Sequence, residues 1–235
     1  NAHKTQVMDG MREGIAGLMK KSKVEVVFGQ ATLSEGRKVS VDDETYEADN
    51  ILVCTGSSPT RPPIPGVDGD NVVDSTGILE LEELPSSLVV IGGGIIGCEF
   101  ACFFGSVGVP VTVLEALPEI CPTVDPDLAR TLRSELSKKK VTFHVGAKVE
   151  EISGSEVKYS VDGESAIAEA GLVLVATGRR PNVENLGLDD LRVDYDERGG
   201  IKVDNRCATN LPGVWAAGDV TGHAWLAHAA SRMAE

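Results

Sequence analysis

A glycine-rich run in the middle of the chain has the spacing of a turn that binds phosphate groups. Residues 92–97 read G-G-G-I-I-G, which fits the pattern G-x-G-x-x-G, and they lie between the apolar residues 88–91 and a helical stretch. In that setting Gly92 allows a tight turn, Gly94 lets the backbone approach a pyrophosphate, and Gly97 allows the helix to pack closely on the strand. We expect the pyrophosphate at the helix N-terminus, where the backbone N–H groups and the partial positive charge lie.

Glu115 indicates which dinucleotide the turn would bind. It follows the apolar residues 111–114 and lies 115 − 92 = 23 residues after Gly92. An acid about 20 residues after such a turn accepts hydrogen bonds from the ribose hydroxyls of adenosine. The carboxylate would repel a 2′-phosphate, and residues 116–123 include no arginine to bind one. The sequence therefore predicts binding of NAD(H) rather than NADP(H); the alternative, a glycine turn without a ligand, leaves this combination of features unexplained.

Three other pairs of residues, each of which contains a glycine, come directly after apolar stretches. They are Thr55-Gly56, Thr177-Gly178 and Gly218-Asp219. Ligands collect at the carboxyl ends of parallel strands, so these pairs are candidate cofactor contacts, although each one alone is also explained as a simple turn. Asp219 could accept a hydrogen bond from a polyol hydroxyl or cap the next helix.

The periodicity of the apolar residues predicts an α/β fold with a parallel sheet. Helices are predicted at residues 5–20, 95–105 and 126–140, and a proline-rich linker at residues 59–66. Strands are predicted at residues 24–28, 39–41, 45–46, 51–53, 88–91, 111–114, 141–145, 148–152, 157–161, 172–176 and 214–217. Strands that alternate with helices form parallel sheets.

Composition and charge exclude several classes of partner. The net charge of −14 argues against nucleic acid and anionic membranes, and no apolar run approaches the length of a membrane span.

The five cysteines show no C-x-x-C pair and indicate reduced thiols in a cytoplasmic protein. Cys98 and Cys102 could form a redox pair, but they are better interpreted as small buried residues on one helical face. The histidines show no metal-ligand spacing.

An internal repeat indicates that the chain is part of something longer. Residues 39–59 and 157–181 share a hairpin turned on aspartate, an apolar strand and then T-G-x-x-P. In the second copy Gly92 precedes Thr177 by 85 residues, and 55 − 85 = −30. We therefore expect the glycine turn of the first copy to lie before residue 1.

Four motifs in order resemble the flavoprotein disulfide reductases, which are pyridine nucleotide-disulfide oxidoreductases with two dinucleotide folds. The motifs are G-G-G-I-I-G-C-E-F-A, V-A-T-G-R-R-P-N, T-N-L-P-G-V-W-A-A-G-D-V and L-A-H-A-A. Within that family the chain most resembles the central part of the enzymes that oxidise dihydrolipoamide, chiefly through L-A-H-A-A.

The resemblance implies a Rossmann-like NAD-binding domain, residues 75–203, inserted in a partial FAD-binding domain made of residues 3–74 and 204–235. It implies NAD contacts at Gly92, Gly94, Ile95, Ile96, Gly97, Glu99, Glu115 and Gly178, with Glu99 near the nicotinamide and the flavin. It implies FAD contacts at Thr55, Gly56, Gly218 and Asp219, of which Asp219 would hold the ribityl chain.

The resemblance further implies a parent enzyme that oxidises dihydrolipoamide with NAD+ through FAD and a redox disulfide. Such a parent is a homodimer with a lipoyl-bearing protein as its partner. The family's C-x-x-x-x-C pair and C-terminal His-Glu base are absent from this sequence. We therefore expect no catalytic residue here, and an inactive NAD-binding fragment that is a monomer or weak dimer. Two alternatives remain: a fragment of another flavin disulfide reductase or NADH oxidase, and a non-catalytic NAD-binding module.

Overall fold

The computed structural model of the chain describes residues 2–235, which form two compact units. One unit comprises residues 59–179, and the other comprises residues 2–58 with residues 180–235. The helices are α1 (Ala2–Lys21), α2 (Ile95–Ser106), α3 (Pro126–Ser137) and α4 (Ala227–Ala234), with 3-10 turns at Gly77–Glu80 and Gly218–Thr221. The strands are β1 (Ala31–Ser34), β2 (Lys38–Val41), β3 (Glu44–Glu47), β4 (Ile51–Val53), β5 (Ser57–Pro59), β6 (Val72–Val73), β7 (Leu88–Ile91), β8 (Val111–Glu115), β9 (Val141–Val145), β10 (Lys148–Ser153), β11 (Glu156–Val161), β12 (Glu164–Glu169), β13 (Leu172–Val175), β14 (Arg179–Pro181), β15 (Tyr195–Asp196), β16 (Gly200–Ile201) and β17 (Val214–Ala216).

A five-stranded parallel sheet forms the centre of the unit at residues 59–179. Its strand order is β6-β13-β7-β8-β9, and every neighbouring pair is parallel. All four residues of β7 and of β13 are buried, as expected of strands that are covered on both faces. The predicted α/β fold with a parallel sheet is confirmed.

Alternate residues of β7 pack on opposite faces of this sheet. Leu88 and Val90 join a core with α2 and α3, whereas Val89 and Ile91 join a core with the antiparallel meander β10–β12. The α3 helix begins with Pro126 after Asp125, whose side chain accepts a hydrogen bond from the Asp127 N–H. The N-cap of α2 is Gly94, which has no side chain to cap the helix, so the first N–H groups of α2 stay available to a ligand.

A third core holds the other unit together. Parallel strands β4 and β17 contribute Ile51, Val53, Val214 and Ala216, and the antiparallel sheet β1–β3 contributes Leu33. The remaining members of this core come mostly from residues 183–201. The predicted hairpin with its turn at residues 42–43 is present as β2 and β3.

Residues 2–28 contribute no side chain to any of the three cores. The predicted helix is present as α1, but none of its residues is buried. The strand predicted at residues 24–28 is wrong, since these residues pair with no strand in the described part of the chain and their apolar side chains stay exposed. A strand needs a partner to satisfy its backbone groups, and local β-propensity does not supply one.

Other boundaries also differ from the predictions. The strand β12 is the second strand of the hairpin predicted within residues 157–181, although no bounds were predicted for it, and α3 ends at Ser137 instead of residue 140. Packing places residues 59–74 with the parallel sheet, because Ile64, Val67 and Val72 join its core, and it places residues 180–203 in the other unit. The assignment of residues 3–74, 75–203 and 204–235 to particular cofactors stays a prediction.

No helix within residues 2–235 has the length and apolarity needed to cross a membrane.

Candidate dinucleotide-binding site

The glycine-rich turn connects β7 to α2, and two of its glycines are required by their neighbours. Gly92 has φ +107°, and a Cβ there would lie 2.5 Å from the Ala176 carbonyl oxygen. A Cβ at Gly97 would lie 2.0 Å from the Gly92 carbonyl oxygen. The turn is therefore tight and α2 lies directly against it, as the spacing predicts.

Gly94 differs from these two glycines because space is open beside it. It is the N-cap of α2, and a Cβ there would meet no atom within 4 Å. Ile95 is exposed and Ile96 is half-buried at the same end of the helix. A ligand could therefore approach the backbone at the N-terminus of α2, where an anion is stabilised by N–H groups and by the helix dipole.

Glu115 ends β8 and faces the turn. Its side chain is buried, with Oε2 accepting a hydrogen bond from the Gly93 N–H at 2.6 Å and Oε1 accepting one from the Leu117 N–H at 2.7 Å. Bonds from an N–H to a carboxylate are among the stronger hydrogen bonds. A carboxylate has about four lone-pair positions, so Glu115 retains the capacity to accept from ribose hydroxyls.

Gly93 is the residue on which the surrounding contacts converge, and no role was predicted for it. Its carbonyl oxygen accepts hydrogen bonds from the Cys121 N–H at 2.8 Å and from the Cys98 thiol at 3.4 Å. A Cβ at Gly93 would lie 3.0 Å from both Glu115 Cβ and Ile120 Cγ2. The only sequence signal for this crowding is the middle glycine in G-G-G.

Two buried cysteines lie beneath the turn. The Sγ atoms of Cys98 and Cys121 are 3.7 Å apart, and Cys121 has a left-handed φ of +48°. Burial raises the pKa of both thiols, most strongly that of Cys98, so they stay protonated near neutral pH. Cys102, four residues after Cys98, is half-buried and free.

Glu119 and Arg133 form a two-point ion pair at the edge of this site. The Arg133 Nε and Nη2 atoms donate to the two carboxylate oxygens at 2.8 and 2.9 Å. Glu119 Oε1 also accepts the Ile120 N–H at 3.0 Å. The hydrogen bond from Arg133 is the main reason that the pKa of Glu119 lies below its ordinary value.

Gly178 comes after β13, the neighbour of β7, so the sheet brings it to the same edge as Gly92. It has φ +121°, and its carbonyl oxygen accepts hydrogen bonds from the backbone and the hydroxyl of Thr60. Glu99 lies on α2 with its side chain exposed. The sheet thus collects the turn, Glu115 and Gly178 at the carboxyl ends of parallel strands, where ligands of such sheets bind.

The four residues predicted to contact FAD lie in the other compact unit, after two paired parallel strands. Thr55 and Gly56 follow β4, and Gly218 and Asp219 follow its partner β17. Gly56 and Gly218 both have positive φ, at +72° and +79°. The Ser57 hydroxyl donates to Asp219 Oδ2 at 2.6 Å, which ties the two strand ends together.

Asn182 fixes the conformation of residues 55–58. Its side-chain amide donates to the Thr55 carbonyl oxygen at 2.8 Å, and its Oδ1 accepts from the Ser58 hydroxyl at 2.7 Å. Its backbone carbonyl accepts from the Thr55 hydroxyl, and its N–H donates to the Gly56 carbonyl oxygen. The residues R-R-P-N belong to one of the four motifs that carry the family resemblance, but no role was predicted for the asparagine.

A parallel sheet with a glycine turn before its helix and an acid at the end of the next strand defines a dinucleotide-binding α/β fold. Residues 2–234 match the family model described as pyridine nucleotide-disulphide oxidoreductase. The chain therefore belongs to that family, as the four motifs indicated.

Curated relatives extend the likeness over nearly the whole chain. The dihydrolipoyl dehydrogenase of Chlamydia pneumoniae is 39% identical over 234 residues, which are 98% of this chain and 50% of the relative. The dihydrolipoyl dehydrogenase of Bacillus subtilis is 36% identical over 236 residues, which are 97% of this chain and 51% of the relative. The chain thus spans about half the length of the curated relatives it matches.

A solved structure shares the fold of the chain. It is the HOCl-induced flavoprotein disulfide reductase RclA from Escherichia coli, 31% identical, with a TM-score of 0.89. The match covers 99% of this chain and 54% of RclA.

Proposed function

We propose that residues 59–179 bind NAD(H) across the turn at residues 92–97. The observation that carries this proposal is the position of Glu115, whose carboxylate holds Gly93 at the edge of the open space beside Gly94. The pyrophosphate would bind the N–H groups at the start of α2, and Glu115 would accept from the adenosine ribose. Gly178 and Glu99 would lie toward the nicotinamide end.

The same carboxylate supports NAD(H) over NADP(H). A 2′-phosphate would meet the negative charge of Glu115, which is buried and therefore poorly screened by solvent. The net charge of −14 also opposes a more highly charged ligand unless a local cation compensates. Residues 116–123, which follow Glu115, contain no lysine or arginine.

We also propose that Thr55, Gly56, Gly218 and Asp219 form part of an FAD site. Support comes from their place after two parallel strands, from the positive φ of both glycines and from the Ser57–Asp219 hydrogen bond. Asp219 would accept from a flavin polyol hydroxyl while Asn182 keeps residues 55–58 in place. FAD, when bound, supplies two-electron transfer between a nicotinamide and a disulfide.

For the whole protein we propose the activity named for its relatives, dihydrolipoyl dehydrogenase, with a lipoyl-bearing partner and a homodimeric state. The 36–39% identities of the relatives support the class of reaction. The 235 residues include no C-x-x-x-x-C pair, so we propose that by themselves they bind NAD(H) without oxidising dihydrolipoamide. Steady turnover of NADH with an artificial electron acceptor by this chain would contradict that.

The likeness to RclA favours a second candidate, a different flavoprotein disulfide reductase. Both candidates require the same NAD(H) site and differ in the disulfide substrate. An assay of the whole protein with dihydrolipoamide and with other dithiols distinguishes them.

Replacing Glu115 tests the proposed NAD(H) site. The Glu115→Ala change removes the ribose acceptor and releases the Gly93 N–H, and we expect NADH binding to weaken by about 1–3 kcal/mol. Calorimetric titration of the folded variants with NADH measures the change.

The matched control is Glu135→Ala, which removes an exposed glutamate paired with Lys138 on α3. It should bind NADH like the unchanged chain. Glu115→Gln keeps an acceptor for the Gly93 N–H and serves if the alanine variant is unstable. Equal NADH affinity in both Glu115 variants and the control would refute the ribose assignment.

A further inference from the structure

We propose that Arg133 is a positioning residue for the pyrophosphate turn, acting through Glu119 and the residues that follow it. The inference rests on the proposed NAD(H) binding and adds to it a group on α3 that contributes without touching the ligand. A continuous series of hydrogen bonds and packing contacts connects Arg133 to Gly93.

The first link is the ion pair between Arg133 and Glu119. It uses two nitrogens and two oxygens, and the side chains of Arg133 and Glu119 are only 35% and 22% exposed. The Arg130–Asp127 pair on the same helix is much more open, at 58% and 85% exposed. Two-point arginine–carboxylate pairs fix orientation as well as distance, whereas exposed single-contact pairs contribute little.

The second link is the backbone of residues 119–121. Glu119 Oε1 accepts the Ile120 N–H, and the side chain of Ile120 is fully buried against Gly93. Cys121 holds a left-handed φ, a conformation that non-glycine residues adopt only when surrounding contacts impose it. The ion pair supplies such a contact one residue before Ile120.

The third link joins this segment to the turn. The Cys121 N–H donates to the Gly93 carbonyl oxygen at 2.8 Å, and Glu115 binds the N–H of the same glycine. Both peptide groups of Gly93 are therefore held by hydrogen bonds. Glu115, at the end of β8, binds the N–H, and Cys121, in the segment that Arg133 supports, binds the carbonyl oxygen. Because Gly94 follows directly, this support prepares the backbone for the pyrophosphate and reduces the ordering cost of binding.

The test compares Arg133→Met with the matched control Arg130→Met, using NADH, ADP-ribose and adenosine as ligands. In Arg133→Met we expect NADH and ADP-ribose to bind about three- to tenfold more weakly. Substitutions of residues that do not touch a ligand change its binding by about this much. Adenosine has no pyrophosphate and should change less than about twofold, and all three ligands should bind Arg130→Met like the unchanged chain.

Amide hydrogen exchange provides a readout that does not depend on a ligand. The Cys121 N–H should exchange faster in Arg133→Met than in Arg130→Met, because its segment loses support. If Arg133→Met is too unstable, Glu119→Gln keeps an acceptor for the Ile120 N–H and loses the charge, and it should show the same pattern more weakly.

Equal NADH binding in Arg133→Met and Arg130→Met would overturn the positioning role. So would an equal loss of all three ligands, because that result indicates general damage to the fold. An unchanged chain that binds no NADH would instead overturn the proposed function, and the positioning role with it.

Discussion

Gly93 shows how a residue with no side chain can organise a site. Glu115 binds its N–H, Cys121 binds its carbonyl oxygen, and a Cβ there would lie in tight contact with the side chains of Glu115 and Ile120. The spacing from Gly92 was enough to find Glu115. The hydrogen bond from Cys121 to Gly93 and the ion pair between Glu119 and Arg133 were not predictable, because they depend on how α3 and the loop before it pack. Sequence periodicity carries no information about that packing.

The buried thiols give a prediction at the same scale. Burial raises the pKa of Cys54 as well as that of Cys98 and Cys121, but only Cys54 is exposed, so iodoacetamide at pH 8 should label Cys54 first and label the two buried thiols only after unfolding. Peptide mapping by mass spectrometry measures the order. Labelling of Cys98 or Cys121 in the folded protein as fast as Cys54 would contradict the packing beneath the turn.

The same pKa shifts fix the sign of a pH effect. An unfolded thiol loses its proton near its ordinary pKa of about 8.5, whereas the folded chain keeps both protons above that pH. Their contribution to the free energy of unfolding is therefore fully present below about pH 8.5 and decreases as the pH rises.

At the scale of elements, sequence predicted best where burial decides the structure. The strands β7 and β13 are continuous apolar runs that are buried in the sheet, and their predicted bounds agree with the observed ones to within one residue. Residues 24–28 have strand-like composition but no partner strand, and the prediction was wrong. The strand β12 reads E-S-A-I-A-E, with little β-propensity, and forms because β11 pairs with it along its whole length. Pairing is a tertiary property, and local propensity records it poorly.

The α1 helix gives a prediction at this scale. Gly14 is exposed within it, and a Cβ there would meet nothing within 4 Å. We expect Gly14→Ala to raise helix stability by about 1 kcal/mol, because glycine is the poorer helix former by that amount. Circular dichroism at 222 nm during thermal unfolding measures it.

Gly97→Ala is the opposing control. A Cβ at Gly97 would lie 2.0 Å from the Gly92 carbonyl oxygen, so the same substitution should destabilise the chain. A stabilising Gly97→Ala, or a destabilising Gly14→Ala, would be inconsistent with the surroundings of α1 and α2.

At the scale of the whole molecule, each compact unit presents one candidate cofactor site at the ends of parallel strands. The unit at residues 59–179 carries the glycine turn with Glu115, and the other carries Gly56, Gly218 and Asp219. The family and the α/β fold followed from ordered motifs and apolar periodicity. The bounds of the compact units did not follow, because residues 59–74 and 180–203 are assigned by the cores they join.

The central claim is that this chain binds NAD(H) through the turn and Glu115. The most direct measurement is calorimetric titration of the folded chain with NADH and, in parallel, with NADPH. We expect saturable binding of one NADH per chain and binding of NADPH that is at least about tenfold weaker. In NADPH the 2′-phosphate replaces the charge-assisted contact between Glu115 and the ribose with repulsion, and a tenfold loss of affinity corresponds to about 1.4 kcal/mol. No saturable binding of NADH, or NADPH binding as tight as NADH, would contradict the account.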